Sequence, residues 1–252
     1  MPALPALRRL HALHWLGFYG GVLLAWAGLY AMQLPADLLA AAEFYGAEFW
    51  AALCTVEPGL AGAPSVFVMW ALMAGAMMAP TVVPALMTWE DLHHAGVGAG
   101  FAALVLGYLA VWLGFAALAT GAQLGLVGLG LTDPYGGSQS RWLSAGLLGA
   151  AGAYQFSTWK AACLLKCRRP LTFFMQYWDE GPLRMGLRLG LACLGCCWAL
   201  MALGLIGGMM SLLWMGLAMV LMLIEKLPQL AGWLSRPLGV GLLAASAAVL
   251  VV

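Results

Sequence analysis

Apolar residues run along this chain in seven long stretches, over 14–32, 66–87, 97–118, 142–159, 186–206, 209–224 and 237–252, and the charged positions fall mostly between them. About 20 apolar residues rising 1.5 Å each span the roughly 30 Å hydrocarbon core of a bilayer. The pattern therefore predicts an all-α fold, a polytopic helical membrane bundle of about seven transmembrane helices. The first stretch follows Arg8 and Arg9. At about 19 residues it exceeds the roughly 7–15 residues of a signal-peptide core, which predicts a retained helix. The last, at about 16 residues, reaches full length only if it starts near Leu230 with Arg236 snorkelling. Gly207-Gly208 alone separates the fifth and sixth stretches, so those two read as a tight antiparallel hairpin.

Cytoplasmic loops of membrane proteins are enriched in Lys and Arg. With the N-terminus cytoplasmic, seven crossings place Arg8, Arg9, Lys160, Lys166, Arg168, Arg169, Arg184, Arg188, Lys226 and Arg236 inside and Arg141 alone outside. Residues 160–188 then form a basic cytoplasmic loop, whose Arg168-Arg169-Pro170 and aromatic residues suit a surface of anionic lipid. The outer segment over 33–65 has no basic residue. It carries Asp37, Glu43, Glu48 and Glu57 among Leu38, Leu39, Phe44, Phe49, Trp50 and Leu53, the pattern of an amphipathic helix lying on the outer leaflet. Gly17-x-x-x-Gly21, Gly186-x-x-x-Gly190 and Gly204-x-x-x-Gly208 provide small-residue faces for close helix contacts, within the chain or between copies. With no internal repeat and no second domain, residues 1–252 read as a single integral membrane domain.

Composition sharpens this picture by exclusion. Hydrophobic residues make up 64% of the chain and charged residues 8%, against roughly 45–50% and 25% in a soluble domain. So few charges cannot cover a water-facing surface, which excludes a soluble fold and a disordered chain. The formal net charge of +1 leaves no basic excess for nucleic acid. Phosphate-loop, His-Glu-x-x-His and Gly-x-Ser-x-Gly motifs are all missing, and with them the enzymes built on them. An ATP-driven pump would need a separate subunit.

The chemistry that remains is soft. Five of the six cysteines lie between Cys163 and Cys197. Cys163 and Cys167 are i, i+4, while Cys193, Cys196 and Cys197 are i, i+3, i+4, so each set lines one helical face. Cys163 and Cys167 fall just past the inner end of the fourth stretch, and the other three lie roughly 10–17 Å into the fifth. One shared five-cysteine site must absorb that mismatch of about one to two turns. Cysteine also serves as a small apolar packing residue. The cytoplasmic side is reducing, which argues against disulfides there. Cys54 falls on the outer side with no cysteine partner.

Thioethers form a second constellation, with Met69, Met73 and Met77 at i, i+4, i+8 beside Met78, and with Met215, Met219 and Met222 following Met209 and Met210. Methionine fills irregular helix contacts. Beside a thiol cluster, it also completes the soft donor set that selects Cu(I). His93-His94, with Glu90-Asp91, has the groups for Zn, Ni or Cu(II) but reads first as a solvated loop. Lys160, three residues before Cys163, reads as snorkelling or, if it faces that sulfur, as lowering the thiol pKa. Glu225-Lys226 reads as an interfacial charge pair. Pro80 frees a backbone carbonyl near Ala76, which protein or a cavity must satisfy.

From 66 to 226 the chain resembles a bacterial family of predicted metal-binding integral membrane proteins of unknown function. The resemblance rests first on Trp70-x-x-Met73-x-x-Ala76-Met77-Met78-Ala79-Pro80, then on Tyr154-Gln155 with Lys160, Cys163, Cys167-Arg168 and Pro170. A third block is Gly190-x-x-Cys193-x-x-Cys196-Cys197-Trp198, with Met201, Met209 and Glu225-Lys226 downstream. It implies a multi-pass protein of the bacterial inner membrane, and supports Met73, Met77, Met78, Cys163, Cys167, Cys193, Cys196 and Cys197 as metal ligands. Cys54, His93-His94 and the outer segment lie outside its pattern.

The leading expectation is binding or transport of a transition metal through these Cys and Met ligands. Copper is the expected ion, with zinc or another transition metal as alternatives, and a metal donor or acceptor protein is an expected partner beside the lipid bilayer. The alternative is a scaffold or assembly subunit of a membrane complex or homo-oligomer, with structural Cys and Met. A thiol-based membrane redox enzyme is a third class.

Overall fold

Among the described residues each apolar stretch contains helix, and the fourth is broken by a turn. The computed structural model describes residues 13–31, 62–94, 100–133, 137–207, 212–227 and 231–251, and these contain no β-strand. Among the described residues the helices of seven residues or more are, in chain order, α1 (Leu13–Ala31), α2 (Ala63–His94), α3 (Phe101–Gly128), α4 (Arg141–Tyr154), α5 (Thr158–Arg168), α6 (Pro170–Gln176), α7 (Pro182–Ala202), α8 (Leu212–Lys226) and α9 (Ala231–Val251). Among the described residues, four helical segments are long and apolar enough to cross a membrane: Ala63–His94, Phe101–Gly128, Pro182–Ile206 and Leu234–Val251. By contrast α4 and α8, at 14 and 15 residues, extend only about 21–23 Å. The last helix begins at Ala231, where an extended seventh stretch was expected to begin. Most of the outer segment, with Cys54, and also Arg8, Arg9, His11, Gly208, Met209 and Met210, lie outside the described residues.

The fourth stretch departs from its expected course. A helix over 142–159 was expected, but α4 ends at Tyr154 and the chain turns through Gln155–Ser157 before α5 begins. Ser157 takes extended backbone angles, and its hydroxyl accepts the Trp159 amide at 3.2 Å. A serine in this position satisfies one of the amides that a new helix leaves open. The turn is what lets α5 fold back against α7.

Close packing of α7 on α3 organises the bundle, and glycine makes it possible. A Cβ at Gly186 would lie 2.1 Å from the Leu104 carbonyl oxygen, and one at Gly107 would lie 2.3 Å from that of Leu183. No side chain fits at either position. Gly190 faces α3 in the same way, against Tyr108 and Val111, so the Gly186-x-x-x-Gly190 spacing serves a contact within the chain. Gly17 and Gly21 pack against nothing that closely. They line an apolar cleft between α1, α2 and α3 instead.

Helix α2 runs through the middle of the packing, touching α1, α3, α6 and α8. Its Pro80 frees the Ala76 carbonyl, and the Trp26 indole of α1 donates to that oxygen at 3.1 Å. Protein thus supplies the partner the sequence demanded. Two more indoles tie down buried polar groups, Trp70 to Gln123 at 2.8 Å and Trp15 to Glu90 at 2.7 Å. The basic segment after α5 is folded: Phe173 and Phe174 of α6 are buried, and Phe174 meets Trp89 with ring centroids 5.1 Å apart.

Candidate metal centre

Three thiols converge because α7 is a regular helix and their spacing puts them on one face. The Sγ atoms of Cys193, Cys196 and Cys197 all lie within 4.8 Å of one another. These residues are 2%, 1% and 2% exposed. Cys196 and Cys197 approach to 3.2 Å, and the Cys196 thiol also donates to the Cys193 carbonyl at 3.1 Å.

Cys193 is the hub of a polar cage in an apolar core. The Tyr108 hydroxyl of α3 lies 3.1 Å from its sulfur, and Thr81 Oγ1 of α2 lies 3.9 Å away. From the end of α8, Lys226 Nζ donates to the same sulfur at 3.0 Å and to Thr81 Oγ1 at 2.7 Å. Tyr108 and Thr81 also donate to the Met78 carbonyl, at 3.2 and 2.8 Å. Four helices thus meet at one sulfur, with a cation against it.

The fold of α5 decides how the remaining two cysteines stand. Cys163 meets α7, where a Cβ at Gly195 would lie 2.5 Å from its sulfur. Cys167 follows one turn later on α5, and the thiols gathered within 4.8 Å are those of α7 alone among the described residues. The turn before α5 sets Cys163 level with Gly195 of α7. Both residues are only partly buried. Burial pushes the Cys163 thiol up from its ordinary value, with Lys166 pulling it down.

A buried ion pair braces the cage. Lys160 Nζ lies 2.7 and 2.9 Å from the two carboxylate oxygens of Glu225 and also bonds Gln155 Oε1. Both charged side chains are 2% exposed. Ser235 donates to Glu225 Oε1 at 3.0 Å, and Arg168 donates to the Glu225 backbone oxygen at 2.7 and 3.0 Å. This corrects the sequence reading of both residues. Lys160 neither snorkels nor serves a thiol, and Glu225 points inward, because each supplies the countercharge that makes the other's burial tolerable.

Met73, Met77 and Met78 are buried on α2, as are Met215 and Met222 on α8, which packs against α2. Met78 is tied to the cage by its carbonyl oxygen. His93 and His94 stand exposed at the end of α2, far along the helix from Thr81, with His94 Nε2 3.8 Å from Glu90.

The donor chemistry suits a soft ion. With metal–sulfur bonds of about 2.3 Å, trigonal sulfurs sit about 4 Å apart and linear ones about 4.6 Å, so the triad closes on an ion with sub-ångström to ångström shifts. Its donors are all sulfur, the type that selects Cu(I) over hard cations. Tyr108, Thr81 and Lys226 escaped the sequence reading as parts of this cage. The signals were a hydroxyl one residue after Pro80, a tyrosine inside an apolar stretch, and the Glu225-Lys226 pair of the family resemblance, which read as interfacial.

A family model described as a copper chaperone, PpoB2, matches residues 67–249. That span holds every residue of the cage. No curated protein and no solved structure matches significantly.

Proposed function

The chain belongs to the PpoB2 copper chaperone family, and on that premise we propose that it carries Cu(I) as cargo on Cys193, Cys196 and Cys197 within a bacterial inner membrane. The observation that carries this reading is the meeting of three buried thiols within 4.8 Å on one turn of α7. Thiolates hold Cu(I) tightly and release it by ligand exchange, which suits delivery to a partner protein better than permanent retention. Lys226 sets a positive charge against Cys193 and offsets the negative charge that a thiolate complex brings into the core. Met73, Met77 and Met78 add thioethers along α2, a softer and weaker donor set for an ion arriving at or leaving the thiols.

A bilayer setting is supported by the apolar helices and by what α9 presents outward. Val240, Leu243, Leu250 and Val251 are all exposed, a surface that lipid covers and water does not. The positive-inside bias favours a cytoplasmic start of α7, at Arg184 and Arg188, with the thiols further along the helix inside the bilayer.

The test is metal content by mass spectrometry of the detergent-purified chain from copper-supplemented cells, beside C193S/C196S/C197S. Near-stoichiometric copper that is lost in the triple variant supports the reading. Zinc in its place, or copper undiminished in the triple variant, overturns it.

A further inference from the structure

Lys226 is the last residue of α8, and helix ends fray. Its Nζ nevertheless sits 3.0 Å from the Cys193 sulfur and 2.7 Å from Thr81 Oγ1. Holding a flexible four-carbon side chain in one geometry costs entropy, and the cost is least when the backbone it starts from is already fixed. Arg168 fixes that backbone. Pro170 opens α6 and stops α5 at Arg168, which leaves the guanidinium at a corner of the chain. Its Nε and Nη2 both donate to the Glu225 backbone oxygen, at 3.0 and 2.7 Å. That oxygen belongs to the last four carbonyls of a helix, which lack intrahelical partners, and a cation beside it meets the negative end of the helix dipole. Because a peptide bond is planar, the Glu225 carbonyl and the Lys226 Cα move as one unit. Two donors from a rigid fork therefore hold the plane from which the Lys226 side chain starts, while Cys193 and Thr81 hold its tip. The Glu225 carboxylate is pinned separately, by Lys160 and Ser235.

Resting on the copper reading above, we propose that Arg168 is a positioning residue of the metal centre. By clamping the carbonyl before Lys226 it keeps the ammonium against Cys193, and through that ammonium it raises the affinity of the triad for Cu(I). Its effect on the ion runs through Lys226. Glutamine in its place loses both the fork and the charge, whereas lysine keeps the charge and a donor for the same oxygen.

Coupling between the two residues separates this role from a merely structural one. The full chain is purified as wild type, R168K, R168Q, K226M and R168Q/K226M; Cu(I) affinity is read by competition with the chelator bicinchoninate, and folding by far-ultraviolet circular dichroism. R168Q is expected to bind Cu(I) about 3- to 10-fold more weakly than wild type, a smaller loss than that of K226M because the ammonium is still present. R168K is expected to fall between R168Q and wild type. In the K226M background R168Q is expected to change nothing further, since the group it positions is gone. Wild-type affinity in folded R168Q, or in folded K226M, overturns the assignment. Losses that multiply in R168Q/K226M overturn it too, because Arg168 then acts on the ion by another route. Should R168Q fail to fold, R168K and R168K/K226M decide by the same comparisons. Wild type that binds no Cu(I) removes the copper reading and this inference together; wild type and R168Q that bind it equally remove the inference alone.

Discussion

Replacing Glu225 by glutamine removes one charge from a pair whose side chains are each 2% exposed, and leaves the Lys160 ammonium in an apolar core. At 2.7 Å and an effective dielectric constant of about 20, the two charges attract by about 6 kcal/mol. Desolvating each ion costs several kcal/mol, so the intact pair is close to neutral in net effect. The single variant loses the attraction and keeps the cost of burying Lys160, which the neutral amide oxygens of Gln155 and of the new glutamine only partly offset. Its expected destabilisation is about 3–5 kcal/mol. Lys160→Met/Glu225→Gln removes both charges and is expected to stay within about 1–2 kcal/mol of wild type. The assay is equilibrium unfolding in mixed micelles, followed by tryptophan fluorescence and far-ultraviolet circular dichroism. A single variant within about 1 kcal/mol of wild type, or a double variant as unstable as the single, would refute the buried pair.

Lys226→Met removes the ammonium 3.0 Å from the Cys193 sulfur; a hydrogen bond from a charged group contributes about 1.5–3 kcal/mol, so Cu(I) affinity should fall about 10- to 100-fold in chelator competition, and unchanged affinity contradicts the charge-offsetting role. Gly186→Ala places a Cβ 2.1 Å from the Leu104 oxygen and should destabilise by about 1–3 kcal/mol or more in the same unfolding assay; a neutral result would mean α3 and α7 are not in backbone contact. Trp26→Phe strips the Ala76 carbonyl of its indole donor and should cost about 1–3 kcal/mol, which a silent substitution would disprove.

The helices were legible because each is a run of apolar residues, and burial against protein or lipid rewards the same pattern. Their lengths were less so. The fourth stretch stays apolar enough to read on through Trp159, whereas in the structure α4 ends at Tyr154, Lys160 bonds back to Gln155 across the turn and Ser157 caps α5. The triad was legible too, since i, i+3, i+4 spacing fixes a shared face on any regular helix. Cys163 was legible as a candidate but not as a neighbour of Gly195, because that contact depends on the turn between α4 and α5. The cage was hidden for a different reason. Tyr108, Thr81 and Lys226 come from three separate helices and meet only through packing set by glycines such as Gly107 and Gly186. Lys160 and Glu225 show the limit of reading charges one at a time, for a lysine near a helix end snorkels by default and turns inward only when a partner 65 positions away awaits it.

X-ray absorption at the copper K-edge on the purified, copper-loaded chain reads the oxidation state and the ligands of the bound ion. Monovalent copper with sulfur as its only nearest neighbours is expected, with loss of that signal in C193S/C196S/C197S. Copper bound through nitrogen or oxygen, or an unaltered sulfur shell in the triple variant, would contradict Cu(I) binding on the triad.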